Sequence, residues 1–189
     1  VWEFGPGNGR MTKYLMEEKH CSVSIVELDK ELFDHVSEFA TDGFYGNIDE
    51  EAWINYFEWQ TFDYIIFADV LEHLMDPKSA LKKVKPFLSE EGQILITFPN
   101  LAHNSVLIDL FNNKLDWRET GLLDATHKSF FVQSGFEKVF EEVGLFIVKE
   151  DFTINQVGYN ELDSTYEDLP VEVRAAFKAR PFGEVYQYF

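Results

Sequence analysis

Short apolar runs alternate with segments of helical spacing along most of this chain. Val1–Phe4 is apolar apart from Glu3, and Gly5, Gly7 and Gly9 then recur at every second position. Met11, Tyr14 and Leu15 follow on one side of a helix, so the opening predicts strand, glycine turn and helix. Ser22–Glu27 is a β-branched run ending in an acid. Lys30–Thr41 has helical periodicity through Leu32, Phe33, Val36 and Phe39. Phe44 and Tyr45 predict a brief strand and Asp49–Phe57 a helix. Phe62–Ala68 is nearly all apolar, as a parallel strand buried on both faces requires. Asp76 and Pro77 supply an N-cap and a first helical residue. That helix is predicted to run to about Leu88, with a turn at Glu91-Gly92 and a buried strand over Gln93–Phe98.

Beyond residue 100 the pattern loosens. Asn100–Phe131 is polar and aromatic, with a predicted helix around Ser105–Phe111 and then a lid-like loop. Gln133–Val143 predicts a helix stopped by Gly144, Leu145–Phe152 a strand, Pro170–Ala179 a proline-opened helix and Glu184–Phe189 a strand. Strands separated by helical crossovers imply an α/β fold, a parallel sheet with helices on both faces. A length of 189 residues is read as one domain, 1–189. Segments 100–131 and 153–183 are read as lid or acceptor-side insertions. Val1 already lies within the first strand and no initiator Met precedes it, so a preceding segment is expected.

Composition narrows the partners. The chain carries 34 acids against 16 Lys and Arg, a net charge of −18. Such a field repels phosphate backbones and anionic lipid, which argues against a nucleic-acid substrate. Nineteen Phe residues and a 46% hydrophobic fraction describe a packed chain. Cys21 stands alone, so no disulfide forms within the chain and a reducing cytoplasm is the expected compartment. No apolar run is long enough to span a bilayer. A monomer or homodimer is expected, or part of a larger chain.

The spacing of the glycine turn sets its chemistry. Dinucleotide sites use G-x-G-x-x-G. Here the pattern is G-x-G-x-G with Glu3 two residues before Gly5. Bare main chain at a helix N-terminus suits the polar or anionic parts of a nucleotide-type ligand. This turn resembles motif I of the class I S-adenosylmethionine-dependent methyltransferases. The resemblance strengthens with the acid Glu27 that ends the second strand, with Gly46-Asn47-Ile48-Asp49, and with Ala68-Asp69-Val70-Leu71-Glu72-His73 before Asp76-Pro77. Gly92–Asn100 and Asp124-Ala125-Thr126-His127 continue it. Together these are similar to the subgroup holding the ubiquinone-biosynthesis O-methyltransferases and the MetW-like proteins of methionine biosynthesis.

That resemblance implies a Rossmann-like, doubly wound, mostly parallel seven-stranded sheet with an antiparallel last strand. It implies S-adenosyl-L-methionine as cofactor, held by Glu3, Phe4, Gly5, Gly7, Gly9, Glu27, Leu28, Asn47, Ile48, Ala68 and Asp69. Glu3 would reach the methionine end and Glu27 the ribose diol. Asn47 stands where the subgroup carries an acid for the adenine amino group, its carbonyl being able to accept the same bond. Ile48 would pack on the ring, and Asp29 reads as the cap of the next helix. It implies methylation of a small-molecule or glycan hydroxyl. A non-catalytic cofactor-binding partner of another enzyme, or a module of a multidomain glycan-modifying protein, are the alternatives.

Asp69, Glu72 and His73 are spaced to share one face of a helical turn. Three readings of them remain open. Glu72 and His73 orient the loop beneath the cofactor. Alternatively His73 or His127 is a general base beside Asp69. Or Asp69, Glu72, His73 and His127 hold a divalent metal. His20 and His35 read as surface residues. His103 is a candidate for the acceptor cleft, and Trp117, Phe130 and Phe131 are candidates for its walls.

Overall fold

The computed structural model describes residues 1–189. The chain forms two units, Val1–Thr97 and Phe98–Phe189. The first begins with β1 (Trp2–Phe4), α1 (Arg10–Glu17), β2 (Ser24–Glu27), α2 (Lys30–Ser37), β3 (Asp42–Tyr45), α3 (Ala52–Phe57) and β4 (Phe62–Ala68). After α4 (Pro77–Val84) comes β5 (Leu88–Pro99), which leads into the second unit. β1 lies between β2 and β4, all parallel, with Glu3 level with Ile25 and Ile66. Side chains alternate across a strand, so Trp2 and Phe4 face one way and Glu3 the other.

The Trp2 face is an aromatic core. Trp2 stacks on Phe62 at 4.7 Å and Phe4 on Phe67 at 4.7 Å. Trp53 and Phe57, one turn apart on α3, close it, and the Trp53 indole N–H donates to the Ile48 carbonyl at 3.0 Å. The opposite face mixes aliphatic and aromatic side chains. Val23, Ile25 and Val36 pack there with Leu15, Phe33 and Phe39 from α1, α2 and the segment after α2. The predicted two-faced sheet is thus met in detail.

In the second unit the last two residues of β5 pair antiparallel with β7 (Val185–Tyr188). β6 (Phe152–Ile154) pairs antiparallel with the other side of β7. The strand order is β3-β2-β1-β4-β5-β7-β6, a Rossmann-like, mostly parallel seven-stranded sheet. Helices α5 (Asn104–Phe111), α6 (Gln133–Val143) and α7 (Val171–Lys178) complete the unit. Phe136 stacks on Phe98 at 4.2 Å, and Val106, Leu122, Leu123 and Leu162 form a second cluster.

Several boundaries differ from the sequence pattern. α4 ends at Val84 and tightens into a 3-10 turn over Lys85–Phe87, where Pro86, having no N–H, cannot carry on the α-helical bonding. β5 starts at Leu88 and runs through the predicted turn at Glu91-Gly92, its register against β4 slipping between Phe62 and Tyr64. Leu145–Glu150 is not strand: backbone pairing with the β7 segment begins at Asp151, which exchanges both main-chain bonds with Phe189, and β6 is assigned from Phe152. Phe146, 88% exposed, is left without a sheet neighbour. Asp49–Glu51 stay outside α3, the Asp49 carboxylate accepting the Met75 N–H instead. The caps at Asp29 and Asp76 and the left-handed stop at Gly144 form as predicted.

Trp53→Ala should cost about 3–5 kcal/mol by leaving a cavity among Trp2, Phe4 and Phe87. Trp59→Ala, at a residue 90% exposed, should stay within about 0.5 kcal/mol. Urea unfolding of both variants checks the pair.

Candidate functional site

The turn after β1 is built by glycines with different duties. Gly5, Gly7 and Gly9 all have left-handed backbone, φ +63°, +55° and +73°. A Cβ on Gly9 would lie 2.7 Å from Phe39 and 2.8 Å from Val36, and one on Gly5 2.9 Å from Val70. These two let the chain press against its neighbours. A Cβ on Gly7 would meet nothing within 4 Å. Gly7 therefore presents bare main chain to open space, where a ligand can lie against it.

A cleft of about 420 Å³ opens here, lined by Glu3, Gly5, Asn8, Arg10, Tyr14 and Ala68 among others. Glu3 is only 2% exposed and accepts one hydrogen bond, from the Thr12 hydroxyl at 2.6 Å. Burial pushes its carboxyl above the ordinary value; the Thr12 bond opposes this and the charge of Glu27 adds to it. Arg10, the cation of the cleft, makes no side-chain hydrogen bond or ion pair within the chain; only its main-chain N–H is engaged, to Asn8 Oδ1. The Phe4 ring belongs to the core, so Phe4 can meet a ligand only through its main chain.

Glu27 ends β2 with its carboxylate occupied. Oε1 accepts the N–H groups of Leu28 (2.8 Å) and Asp29 (2.9 Å), and Oε2 that of Gly7 at 3.1 Å. A carboxylate has about four lone-pair positions, so one on Oε2 stays open to a hydroxyl. Leu28 is exposed beside it and Ile48 is buried. The Asn47 carbonyl accepts the Asp49 N–H at 3.0 Å, which turns part of its accepting capacity inward.

Asp69 follows β4 with φ +54°, a backbone region costly for a non-glycine residue and often found at functional sites. Thr97 holds it there: the Thr97 hydroxyl donates to Asp69 Oδ1 at 2.8 Å and accepts the Asp69 N–H at 2.9 Å. Leu71–His73 is a single 3-10 turn with Glu72 buried and His73 partly so. The three predicted residues do not share one helical face, because Asp69 leaves the helical region before the turn begins. In the second unit, His127 follows an Asx turn in which Asp124 Oδ1 accepts from the Thr126 N–H at 2.7 Å, and its ring stands 6.1 Å from Phe130.

His103 is fully buried rather than a cleft residue. Its Nδ1 accepts the Ser105 N–H at the start of α5, and its Nε2 meets the Asn155 carbonyl at 2.7 Å, so Nε2 carries the proton. Burial pushes its pKa down. Thr12, Thr97 and Arg10 were not singled out by sequence. The signal available for Thr97 was a polar residue closing the apolar run Ile94–Ile96.

Seven strands in this order, with a glycine turn after the first, a buried acid within the first and an acid ending the second, define an α/β domain for a nucleotide-type cofactor. Residues 1–150 match the model of a family described as a methyltransferase domain. The chain belongs to that family and is an S-adenosylmethionine-dependent methyltransferase. No curated protein matches it. Among solved structures it is similar to a SAM-dependent methyltransferase from Archaeoglobus fulgidus, with 18% identity and a TM-score of 0.66 over 100% of this chain and 82% of that one. It is also similar to the CcbJ methyltransferase from Streptomyces caelestis, 14% identical with a TM-score of 0.62 over 100% and 80% of the two chains. A third is the plantazolicin methyltransferase BpumL in complex with SAH, 17% identical with a TM-score of 0.60 over 99% and 72%. No helix is long and apolar enough to cross a membrane.

The raised pKa of Glu3 has a stability signature. Between its ordinary and raised values, the unfolded chain is ionised at Glu3 while the folded chain still holds the proton. The ligand-free protein should therefore lose stability as pH rises through that window. Glu3→Gln should remove this decline and gain on the order of 1 kcal/mol above the window. Thr12→Val should steepen it. Urea unfolding at stepped pH, variant against parent, reads both.

Proposed function

We propose that this domain transfers the methyl group of S-adenosylmethionine to a hydroxyl of a small molecule or glycan. The observation that carries the reading is the open main chain at Gly7, between Pro6 and Asn8 of a cleft also lined by Glu3, Arg10 and Ala68. The amino-acid end of the cofactor is a zwitterion, and the cleft offers a buried acid and an unpaired guanidinium to match it. Glu3 takes the ammonium and Arg10 the carboxylate, a pairing its planar fork suits. The ribose uses the open position on Glu27, while Leu28, Asn47 and Ile48 border the adenine. The SAH held by BpumL supports this choice of cofactor.

Methyl transfer is an in-line displacement. The acceptor oxygen forms a bond to the methyl carbon, the carbon–sulfur bond breaks, and sulfur leaves as a neutral thioether needing no acid. The domain has to align the hydroxyl and take its proton. Asp69, held by Thr97 at the end of β4, orients the acceptor, and His73 takes the proton. His127 is the corresponding candidate in the second unit. The alternative is a divalent metal, for which Asp69, Glu72 and His73 offer carboxylate and imidazole ligands and which would lower the hydroxyl pKa directly.

S-adenosylhomocysteine should bind with a micromolar dissociation constant in calorimetry, and a folded protein giving no heat overturns the reading. Gly7→Ala should weaken that binding about tenfold or more, its methyl entering the ligand's space, at a stability cost of only about 1 kcal/mol. Arg10→Gln should weaken S-adenosylhomocysteine similarly yet spare methylthioadenosine, which lacks the amino-acid end. It should not destabilise the fold, because a cation at a helix N-terminus opposes the helix field.

His73→Gln should lower methylation of a responsive hydroxyl acceptor about 10²–10⁴-fold with cofactor affinity unchanged. Radiolabelled methyl transfer across hydroxyl and amine acceptors reads this. Loss of activity in chelator, restored by adding the metal back, would favour the metal instead. A chain that binds cofactor, methylates nothing and co-purifies with a larger enzyme would favour the non-catalytic role.

A further inference from the structure

A second cavity, about 480 Å³, lies wholly within the second unit, where β6, β7 and the end of α7 meet. Its walls are unlike its floor. Ile154 and Phe182 are largely exposed, and the rings of Phe152 and Phe182 stand 6.0 Å apart at 78°. The floor is a fixed polar network. The buried Asn104 donates to the Tyr166 hydroxyl at 3.0 Å and to the Phe177 carbonyl at 3.0 Å, and its Oδ1 accepts from Arg180 Nε at 2.9 Å. Arg180 Nη2 also donates to the Ala102 carbonyl. The Tyr166 hydroxyl donates to Glu184 at 3.1 Å, so the cavity's acid is already engaged.

Two further features set this place apart. Phe182 has φ +59° while its ring is 55% exposed. A bulky residue held in the left-handed region is a backbone outlier, and such strain concentrates at ligand clamps. Gly183, beside it, is pressed so closely on Asn104 that a Cβ would lie 2.4 Å from Asn104 Nδ2, which fixes where Phe182 stands. The second feature is charge. In a chain with 34 acids and 16 bases, Lys178 and Arg180 both line this cavity. Lys178 has no carboxylate partner, its Nζ lying over the Tyr166 ring at 5.0 Å.

We propose that this cavity is a binding site for a small aromatic monoanion, distinct in residues from the cofactor cleft. The ring packs against Phe152, Ile154 and Phe182, and the anionic group meets Lys178 at the rim and Arg180 at the floor. Arg180 is oriented before the ligand arrives, so its guanidinium loses little freedom on binding. Phe182 holds its strained backbone because the ring it presents contacts the ligand.

The test uses 2-naphthoate and its neutral amide, 2-naphthamide, titrated calorimetrically into the whole chain. Naphthoate should bind at least about tenfold more tightly than the amide, the scale of a charge-assisted hydrogen bond. Lys178→Met should reduce that preference, Arg180 being left to hold the anion. Phe182→Gly should weaken both compounds about fivefold or more, while its unfolding midpoint stays level or rises as the strain is relieved. Equal binding of acid and amide, no saturable binding by either, or an unchanged preference in Lys178→Met would each overturn the proposal. So would a Phe182→Gly protein that unfolds earlier and binds as before. Both variants should still bind S-adenosylhomocysteine, so failure here leaves the methyl-transfer reading standing.

Discussion

The first unit depends on how closely the main chain of the glycine turn approaches its neighbours. Phe39 and Val36 would sit 2.7 and 2.8 Å from a Cβ on Gly9. Van der Waals contact between carbons lies near 3.5–4.0 Å, so any side chain there would push α1 away from α2. That approach seats the start of α1 beneath β1, and from that seat Thr12 reaches Glu3 at 2.6 Å. The buried acid is tolerable only because the helix comes close enough to supply a donor. Gly7, between the two packed glycines, is left facing open space, and the same geometry that packs the turn leaves its main chain bare.

Glu3 within β1 and Glu27 at the end of β2 have different surroundings. Glu27 is surrounded by main-chain N–H groups from its own strand end and from Gly7. It ties β2 to the turn and keeps one position for a hydroxyl. Glu3 has a single hydroxyl donor and a carboxyl shifted upward by burial. A cationic ligand group beside it would restore the ionised form that burial disfavours. A chain this acidic has few bases to spend near its sites, so the guanidinium of Arg10 and the pair Lys178 and Arg180 stand out against the background.

Legibility followed the range of the interaction. β4 was readable because burial on both faces demands apolar residues in succession, and Ile65, Ile66 and Phe67 supply them with Asp63 and Tyr64 left exposed. The caps at Asp29 and Asp76 were readable because a cap bonds residues two or three positions away. The strand expected over Leu145–Phe152 has the right composition, but a strand exists only where a neighbour pairs with it, and that pairing reaches back no further than Asp151. The shared face of Asp69, Glu72 and His73 failed for a related reason. Thr97, opposite the end of β4, draws the Asp69 N–H and carboxylate to itself and turns the chain left-handed before the 3-10 turn. His103 was placed in a cleft by its position after β5, yet the Asn155 carbonyl takes its Nε2 and Ser105 its Nδ1.

The sequence by itself determined the order of strands and helices, the glycine turn with its flanking acids, and through them the family and the methyl donor. These rest on backbone preferences and periodicities written within a few neighbouring residues. Only the tertiary structure decided which donors meet the buried acids, why Gly7 alone of the three glycines faces open space, and that Phe182 and Lys178 border one cavity. Each of those facts joins residues far apart in the chain, and their separation is set by which elements become neighbours when the core forms.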